Sequence, residues 1–199
     1  MFKGSIVALI TPFKNSVMDQ DKYIALIHHH IASGTNGVVS AGTTGESPTL
    51  NHNEHKKVIE ISVRECKGKI PVIAGTGSNS TAEAVELSKH AEKFGANGLL
   101  VVTPYYNKPT QEGLYQHYKL INDNVGIPII IYNIPSRSVI DISVDTMARL
   151  FELKNIAGVK DATGDLNRVD QQLKKMGSEF IQFSGEDQNA FDFNKRGCC

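Results

Sequence analysis

Seven short runs rich in β-branched residues recur roughly every 25 to 30 positions, separated by stretches of helical period, and together they predict an α/β fold of repeated β/α units. Polar residues follow almost every run: Thr11, Thr43 and Thr44, Thr76, Thr103, Tyr132, Lys160 and Ser184. A ring of functional groups at the carboxyl edge of parallel strands is the arrangement of a (β/α)8 TIM barrel rather than of an open doubly wound sheet. The count stops at seven, and such barrels run to about 250 residues. An incomplete barrel is therefore expected.

The runs are Ser5 to Ile10, Gly37 to Ser40, Pro71 to Ala74, Gly98 to Val102, Ile129 to Tyr132, Ile156 to Lys160 and Ile181 to Ser184. Each is too short for a core helix and suits a strand buried on both faces. Between them, Asp19 to Ala32, Asn53 to Cys66, Thr81 to Phe94, Glu112 to Asn124, Val144 to Phe151 and Leu166 to Met176 carry helical periodicity and would be the crossovers. Cap chemistry marks several entries: Ser80 before Glu83, Ser143 before Thr146, and Asp165 opening the helix of Leu166. Gly34, Gly68, Gly95 and Gly177 mark the exits. No linker or low-complexity segment interrupts the series, so a single domain is expected.

Composition narrows the function classes. The 199 residues carry 21 basic and 21 acidic side chains, so no net field draws the chain to nucleic acid or an anionic membrane. No apolar run nears the ~20 residues of a membrane span, and Thr11-Pro12 halts the first run well short of a secretory segment. A cytoplasmic protein is expected. Cys66 is isolated and Cys198 and Cys199 are adjacent, which gives no disulfide framework and no zinc pattern.

Lys160 ends the apolar run Ile156-Ala-Gly-Val-Lys160. An amine at the end of a buried strand can lose part of its ammonium character by desolvation and act as a Schiff-base nucleophile; the plain alternative is a surface lysine. Tyr132 and Arg137 flank a proline turn that would bring a phenol and a guanidinium to the same rim, one able to relay protons and the other to hold a carboxylate. Packed tyrosine and solvated arginine are the alternatives. Gly42-Thr43-Thr44-Gly45-Glu46 could expose hydroxyls and N–H donors to a small carboxylate, or be a glycine-rich connector; without a following lysine it is no phosphate-binding P-loop.

Three other patterns are discounted. Gly75-Thr76-Gly77 lacks the third glycine of the dinucleotide fingerprint, because position 80 is Ser. His28-His29-His30 point in different directions on a helix, and His52 and His55 share a face but lack a third ligand, so no metal is expected. There is no GxSxG elbow, and Cys66 lacks evident basic activation, so an acyl-transfer triad has little support.

With these residues in place, the chain closely resembles the dihydrodipicolinate synthase (4-hydroxy-tetrahydrodipicolinate synthase) family. The resemblance runs from Gly4-Ser5-Ile6-Val7 through Gly42 to Ser47, Val102-Thr103-Pro104-Tyr105-Tyr106-Asn107, Tyr132 to Arg137 and Gly158 to Gly164, to about Phe193. It implies a (β/α)8 barrel and a lyase reaction that condenses pyruvate with aspartate 4-semialdehyde in lysine and diaminopimelate biosynthesis, with no cofactor and no metal. Lys160 is then the imine-forming residue and Tyr132 the proton relay. Thr43 links that tyrosine to Tyr106, which the family donates across a dimer interface. Thr44 holds the pyruvate carboxylate and Arg137 orients the semialdehyde. Ser47, His55, Asn79, Glu83 and Tyr105 match the family's pocket for lysine as a feedback inhibitor, and a homodimer or homotetramer is implied. N-acetylneuraminate lyase shares the lysine and the Tyr-Asn-x-Pro turn, but it generally lacks an arginine two residues after that proline, where this chain has Arg137.

The resemblance stops near Phe193. Residues 1–193 are expected to form the partial barrel, and Asn194-Lys195-Arg196-Gly197-Cys198-Cys199 a divergent tail where the family continues into an eighth strand. The chain thus reads as C-terminally truncated. Two expectations follow: an active synthase whose missing wall comes from oligomerisation or another polypeptide, or an inactive fragment. An unclosed sheet leaves strand edges exposed.

Overall fold

The computed structural model describes residues 2–198, so Cys199 of the adjacent cysteine pair lies outside the described residues. The chain forms two compact units, one comprising the chain up to Thr76 together with Leu87–Leu100, the other comprising Gly77–Glu86 and the chain from Val101 on.

The first unit opens with strand β1 (Ile6–Ala8), followed by an antiparallel hairpin of β2 (Phe13–Lys14) and β3 (Val17–Met18), an element absent from the expected series. Its turn residues, Asn15 and Ser16, both have positive φ, the conformation of a type I′ turn, but the pair lacks the Asn-Gly signature that announces one. Helix α1 (Gln20–Ala32) is capped by Asp19, whose carboxylate accepts from Lys22 N at 3.1 Å. Strand β4 (Gly37–Ser40), a single 3-10 turn at Ser47–Thr49, helix α2 (His52–Cys66) and strand β5 (Val72–Gly75) follow. Asn51 and Glu54 close a reciprocal capping box on α2. The unit also holds the end of α3 (Thr81–Phe94) and the start of β6 (Gly98–Val102). Its strands pair in parallel, β1 with β4, β4 with β5 and β5 with β6. Both β4 and β5 are buried throughout, as strands covered on two faces must be. Where α1 meets α2, Tyr23 Oη and Ser62 Oγ bond at 2.8 Å, satisfying two buried hydroxyls.

The second unit holds α4 (Gln111–Asn122), β7 (Ile129–Asn133), the one-turn helix α5 (Pro135–Ser138), α6 (Val144–Phe151), β8 (Ile156–Asp161), α7 (Asn167–Met176), β9 (Ile181–Ser184) and α8 (Ala190–Lys195). Strands β7, β8 and β9 pair in parallel. Gln111 ties α4 to α6: its Oε1 accepts from Ser143 N at 3.0 Å and Thr146 Oγ1 at 2.7 Å. Asn155, just before β8, donates through Nδ2 to Asn122 O (3.0 Å) and Val125 O (2.7 Å), fixing where that strand begins.

The seven expected strands and six crossover helices are all present, with ends that differ by at most two residues. The four glycines expected at helix exits have φ between 73° and 96°, a region that other residues reach only under strain. Thr146 N donates to Ser143 Oγ at 3.1 Å, so that cap stands. The Asp165 cap is corrected by one step. Helix α7 begins at Asn167, whose N–H Asp165 Oδ1 accepts at 2.9 Å, while Leu166 occupies the cap position with helical dihedrals. At the chain's end, α8 spans position 193, and Arg196 pairs with Asp170. Among the described residues no helix is long and apolar enough to cross a membrane.

Candidate active site

In the second unit Tyr132, Lys160 and Phe183 are register partners across β7, β8 and β9, and Asn133, Asp161 and Ser184 form the next rung. Successive side chains alternate faces, so the first trio shares one face of the sheet and the second trio the other. Register thus brings the two residues singled out in the sequence into contact: Lys160 Nζ stands 4.6 Å from the centroid of the buried Tyr132 ring. Desolvation holds the Lys160 amine below the usual lysine range, partly offset by the carboxylates of Asp187 and then Glu186, which follow β9. No sequence motif marks these two acids, although they lie at the next strand's carboxyl end.

Other candidates lie around this pair in the chain. Arg137 is exposed on α5, where its N–H donates to Ile134 O at 3.0 Å and holds the turn. Tyr106 is 89% exposed with φ at 75°, a positive value that is uncommon for a bulky side chain. Tyr105 is half-buried, and its carbonyl accepts from Asn107 N at 2.9 Å. Asn107 Nδ2 donates to Asn79 O at 3.0 Å, and Ser78 Oγ donates to Glu83. Asn79, Glu83 and the Tyr105 loop are therefore brought together.

Thr43, Thr44, Ser47 and His55 belong to the first unit. Their loop bends through bonds from Gly45 N to Gly42 O (3.1 Å) and Glu46 N to Thr43 O (3.1 Å), and Thr11 Oγ1 donates to Gly45 O at 2.7 Å. A Cβ at Gly45 would come within 2.9 Å of Leu9 O, so this close approach requires glycine. Both threonines are exposed, Ser47 is half-buried, and His55 is buried on α2.

The histidine tract does not converge: His28 pairs with Glu65 at 2.8 Å, and the His29 and His30 rings meet edge to face. Among the described residues no group of three His, Cys, Asp or Glu side chains could hold a metal ion. Burial pushes the Cys66 thiol up to about 11, which leaves it inert as a nucleophile at neutral pH.

Residues 1–198 match the model of the dihydrodipicolinate synthetase family. The chain belongs to that family. It is 72% identical to the 4-hydroxy-tetrahydrodipicolinate synthase of Pelagibacter ubique (strain HTCC1062) over 99% of its own length and 67% of that protein's. The crystal structure of dihydrodipicolinate synthase from Aquifex aeolicus superposes with a TM-score of 0.97 at 51% identity, covering 99% of this chain and 68% of that one. A chloride-inhibited dihydrodipicolinate synthase from Acinetobacter baumannii, complexed with pyruvate, gives a TM-score of 0.97 at 48% identity over 100% of this chain and 68% of its own. The chain thus spans about two thirds of the length of the relatives it matches. The fold class is that of the (β/α)8 family, with seven β/α units among the described residues.

What neither motif nor family resemblance singled out is the other face of the same strands. Asp161, buried directly after Lys160, accepts from Thr163 N (3.0 Å), Thr163 Oγ1 (2.6 Å), Arg168 Nε (3.0 Å) and Gln172 Nε2 (3.1 Å). A carboxylate ending an apolar strand, with an arginine seven residues on in the following helix, was the available signal.

Proposed function

We propose that the chain is a Schiff-base lyase that condenses pyruvate with L-aspartate 4-semialdehyde to 4-hydroxy-tetrahydrodipicolinate. The observation that carries this reading is the partly desolvated Lys160 amine held over the Tyr132 ring at the carboxyl ends of β8 and β7. A lowered pKa raises the fraction of neutral amine at neutral pH, which is the form that attacks a ketone. Family membership supports the substrate pair.

Lys160 Nζ attacks the C2 carbon of pyruvate; the carbinolamine loses water and leaves a protonated imine. Loss of a methyl proton gives the enamine, whose carbon attacks the aldehyde carbon of the semialdehyde while the aldehyde oxygen takes up a proton. The semialdehyde's own amino group then attacks the imine carbon, closing the ring and freeing Lys160. Tyr132 relays the protons. Thr43 and Tyr106 extend that relay, Thr44 holds the pyruvate carboxylate and Arg137 the semialdehyde carboxylate; the family motif and the exposure of Thr43, Thr44, Tyr106 and Arg137 support these roles. Feedback binding of lysine through Ser47, His55, Asn79, Glu83 and Tyr105, a homodimer or homotetramer, and a cytoplasmic location follow from the same resemblance. No cofactor enters this chemistry.

Borohydride trapping tests the reading. The 199-residue chain, incubated with pyruvate and reduced, is expected to carry the pyruvate-derived mass on the peptide containing Lys160. Folded protein without that adduct would refute it. Tyr132→Phe keeps the ring under the amine but removes the hydroxyl, and is expected to slow turnover by roughly 10²- to 10⁴-fold in a condensation assay.

A further inference from the structure

We propose that Arg168 is a positioning residue for Lys160, clamping the rear of β7 and β8 so that the amine stays over the Tyr132 ring. The inference rests on the Schiff-base reading of Lys160 and adds the part that holds it in place.

The guanidinium reaches three groups with three nitrogens: Nε donates to Asp161 Oδ2 at 3.0 Å, one Nη to Asp141 Oδ2 at 3.3 Å, and the other to Ile142 O at 2.8 Å. The Asp141–Ile142 segment in turn holds β7. Asn133 Nδ2 donates to Asp141 Oδ1 at 2.8 Å, and Ile142 N donates to Asn133 Oδ1 at 3.3 Å. One side chain on α7 therefore links Asn133, the residue after Tyr132, to Asp161, the residue after Lys160.

These two are register partners. Fixing them on the rear face fixes the backbone from which Tyr132 and Lys160 project on the front. The ladder runs in unbroken register from Ile130 to Asn133, beyond a shift between Ile129 and Ile130, and the clamp ties its last rung with side chains. The clamp is also enclosed: the side chains of Arg168 and Asp161 are 12% and 4% exposed. A planar fork with fixed donor directions can span a carboxylate, a second carboxylate and a carbonyl; a lysine point charge cannot reproduce that geometry.

The test reads position without requiring catalysis. In protein carrying lysine labelled with 13C at Cε, the Lys160 signal is assigned by its loss in Lys160→Ala. The neighbouring ring is expected to displace the εCH2 resonance upfield in the wild type, and Arg168→Gln to return it toward the free-lysine position. Trapping of pyruvate in Arg168→Gln is expected to slow by roughly 10²-fold, the scale of a misplacement near 1 Å, with little change in the pyruvate concentration for half-maximal rate. Asp141→Asn removes only the outer charge and should shift the resonance less, in the same direction.

An undisplaced wild-type signal, or an unchanged one in folded Arg168→Gln, overturns the proposal. If Arg168→Gln fails to fold, an unchanged signal in Asp141→Asn overturns it instead. Full recovery of signal and rate in Arg168→Lys also overturns it, since charge alone would then suffice. Expected resonance shifts in a wild type that traps no pyruvate would leave the clamp standing and defeat the Schiff-base reading.

Discussion

The two faces of the β7–β8 pair carry similar raw material and use it in opposite ways. On one face a lysine amine is partly stripped of water and stacked against an aromatic ring, with two carboxylates from beyond β9 only partly restoring its charge. On the other, one residue further along each strand, Asp161 has four donors and Arg168 three acceptors. The first face keeps an ionisable group short of compensation, the setting that the proposed imine chemistry requires. The second compensates its charges fully, which makes it rigid. On the proposed roles, a single alternation of side chains separates chemistry from support, and substitutions on the two faces should therefore fail differently.

The largest contrast comes from removing the charged group on each face. Lys160→Ala is expected to abolish pyruvate trapping completely, while its urea midpoint stays at or above that of the wild type, since a poorly compensated charge has been removed. Asp161→Ala does the reverse to stability. It leaves the Arg168 guanidinium buried beside one fewer anion, which typically costs about 3–5 kcal/mol, and the urea midpoint should fall accordingly. Equal loss of stability in both variants would mean that the faces are not divided as described.

The difference should also show as a pH dependence. Lys160 titrates lower in the folded chain than in the unfolded one, where a lysine titrates at about 10.4. Between those two values the unfolded state binds the extra proton, so stability rises with pH across that window; below it, the cost of the buried charge is fully present. In Lys160→Met that rise is expected to disappear, which urea titrations from neutral to alkaline pH would reveal. His117 does not confuse the measurement. Burial pushes its imidazole down to about 4, so its contribution is present above the unfolded value of about 6.5 and is lost as pH falls toward 4.

Much of the front face was legible in the sequence, and little of the rear. Lys160 and Tyr132 each end an apolar run, so repeated parallel strands placed them at one edge, and a register shift between Ile129 and Ile130, which absorbs the extra residue of the longer run, brought them opposite each other. Asp161 directly follows the apolar run that ends in Lys160, but its partners are divided among Thr163, Arg168 and Gln172, which no short motif connects. Asp141 and Asn133 meet only because a one-turn helix at Pro135–Ser138 folds the chain back, an element too short to leave a period. The hairpin at β2 and β3 escaped for a related reason: Asn15 and Ser16 adopt left-handed dihedrals that their identities do not demand. Periodicity reports elements and edges. Side-chain networks that depend on a turn become visible only in three dimensions.

The smallest expected effect probes the carboxylates that lean on the front face. Asp187 is exposed, so its attraction for the Lys160 ammonium acts largely through solvent, where such pairs contribute about 0.2–1 kcal/mol. Asp187→Asn should lower the amine's pKa further, moving the pH of half-maximal pyruvate trapping downward by about 0.2 to 0.7 of a pH unit. Raising the salt concentration should erase most of the difference between variant and wild type, because ions screen an exposed pair. The Arg168–Asp161 pair is buried and should not respond in that way: the stability lost in Asp161→Ala is expected to be nearly the same at low and high salt. A salt-insensitive shift in Asp187→Asn would mean that this acid is as much a part of the built site as the clamp behind it.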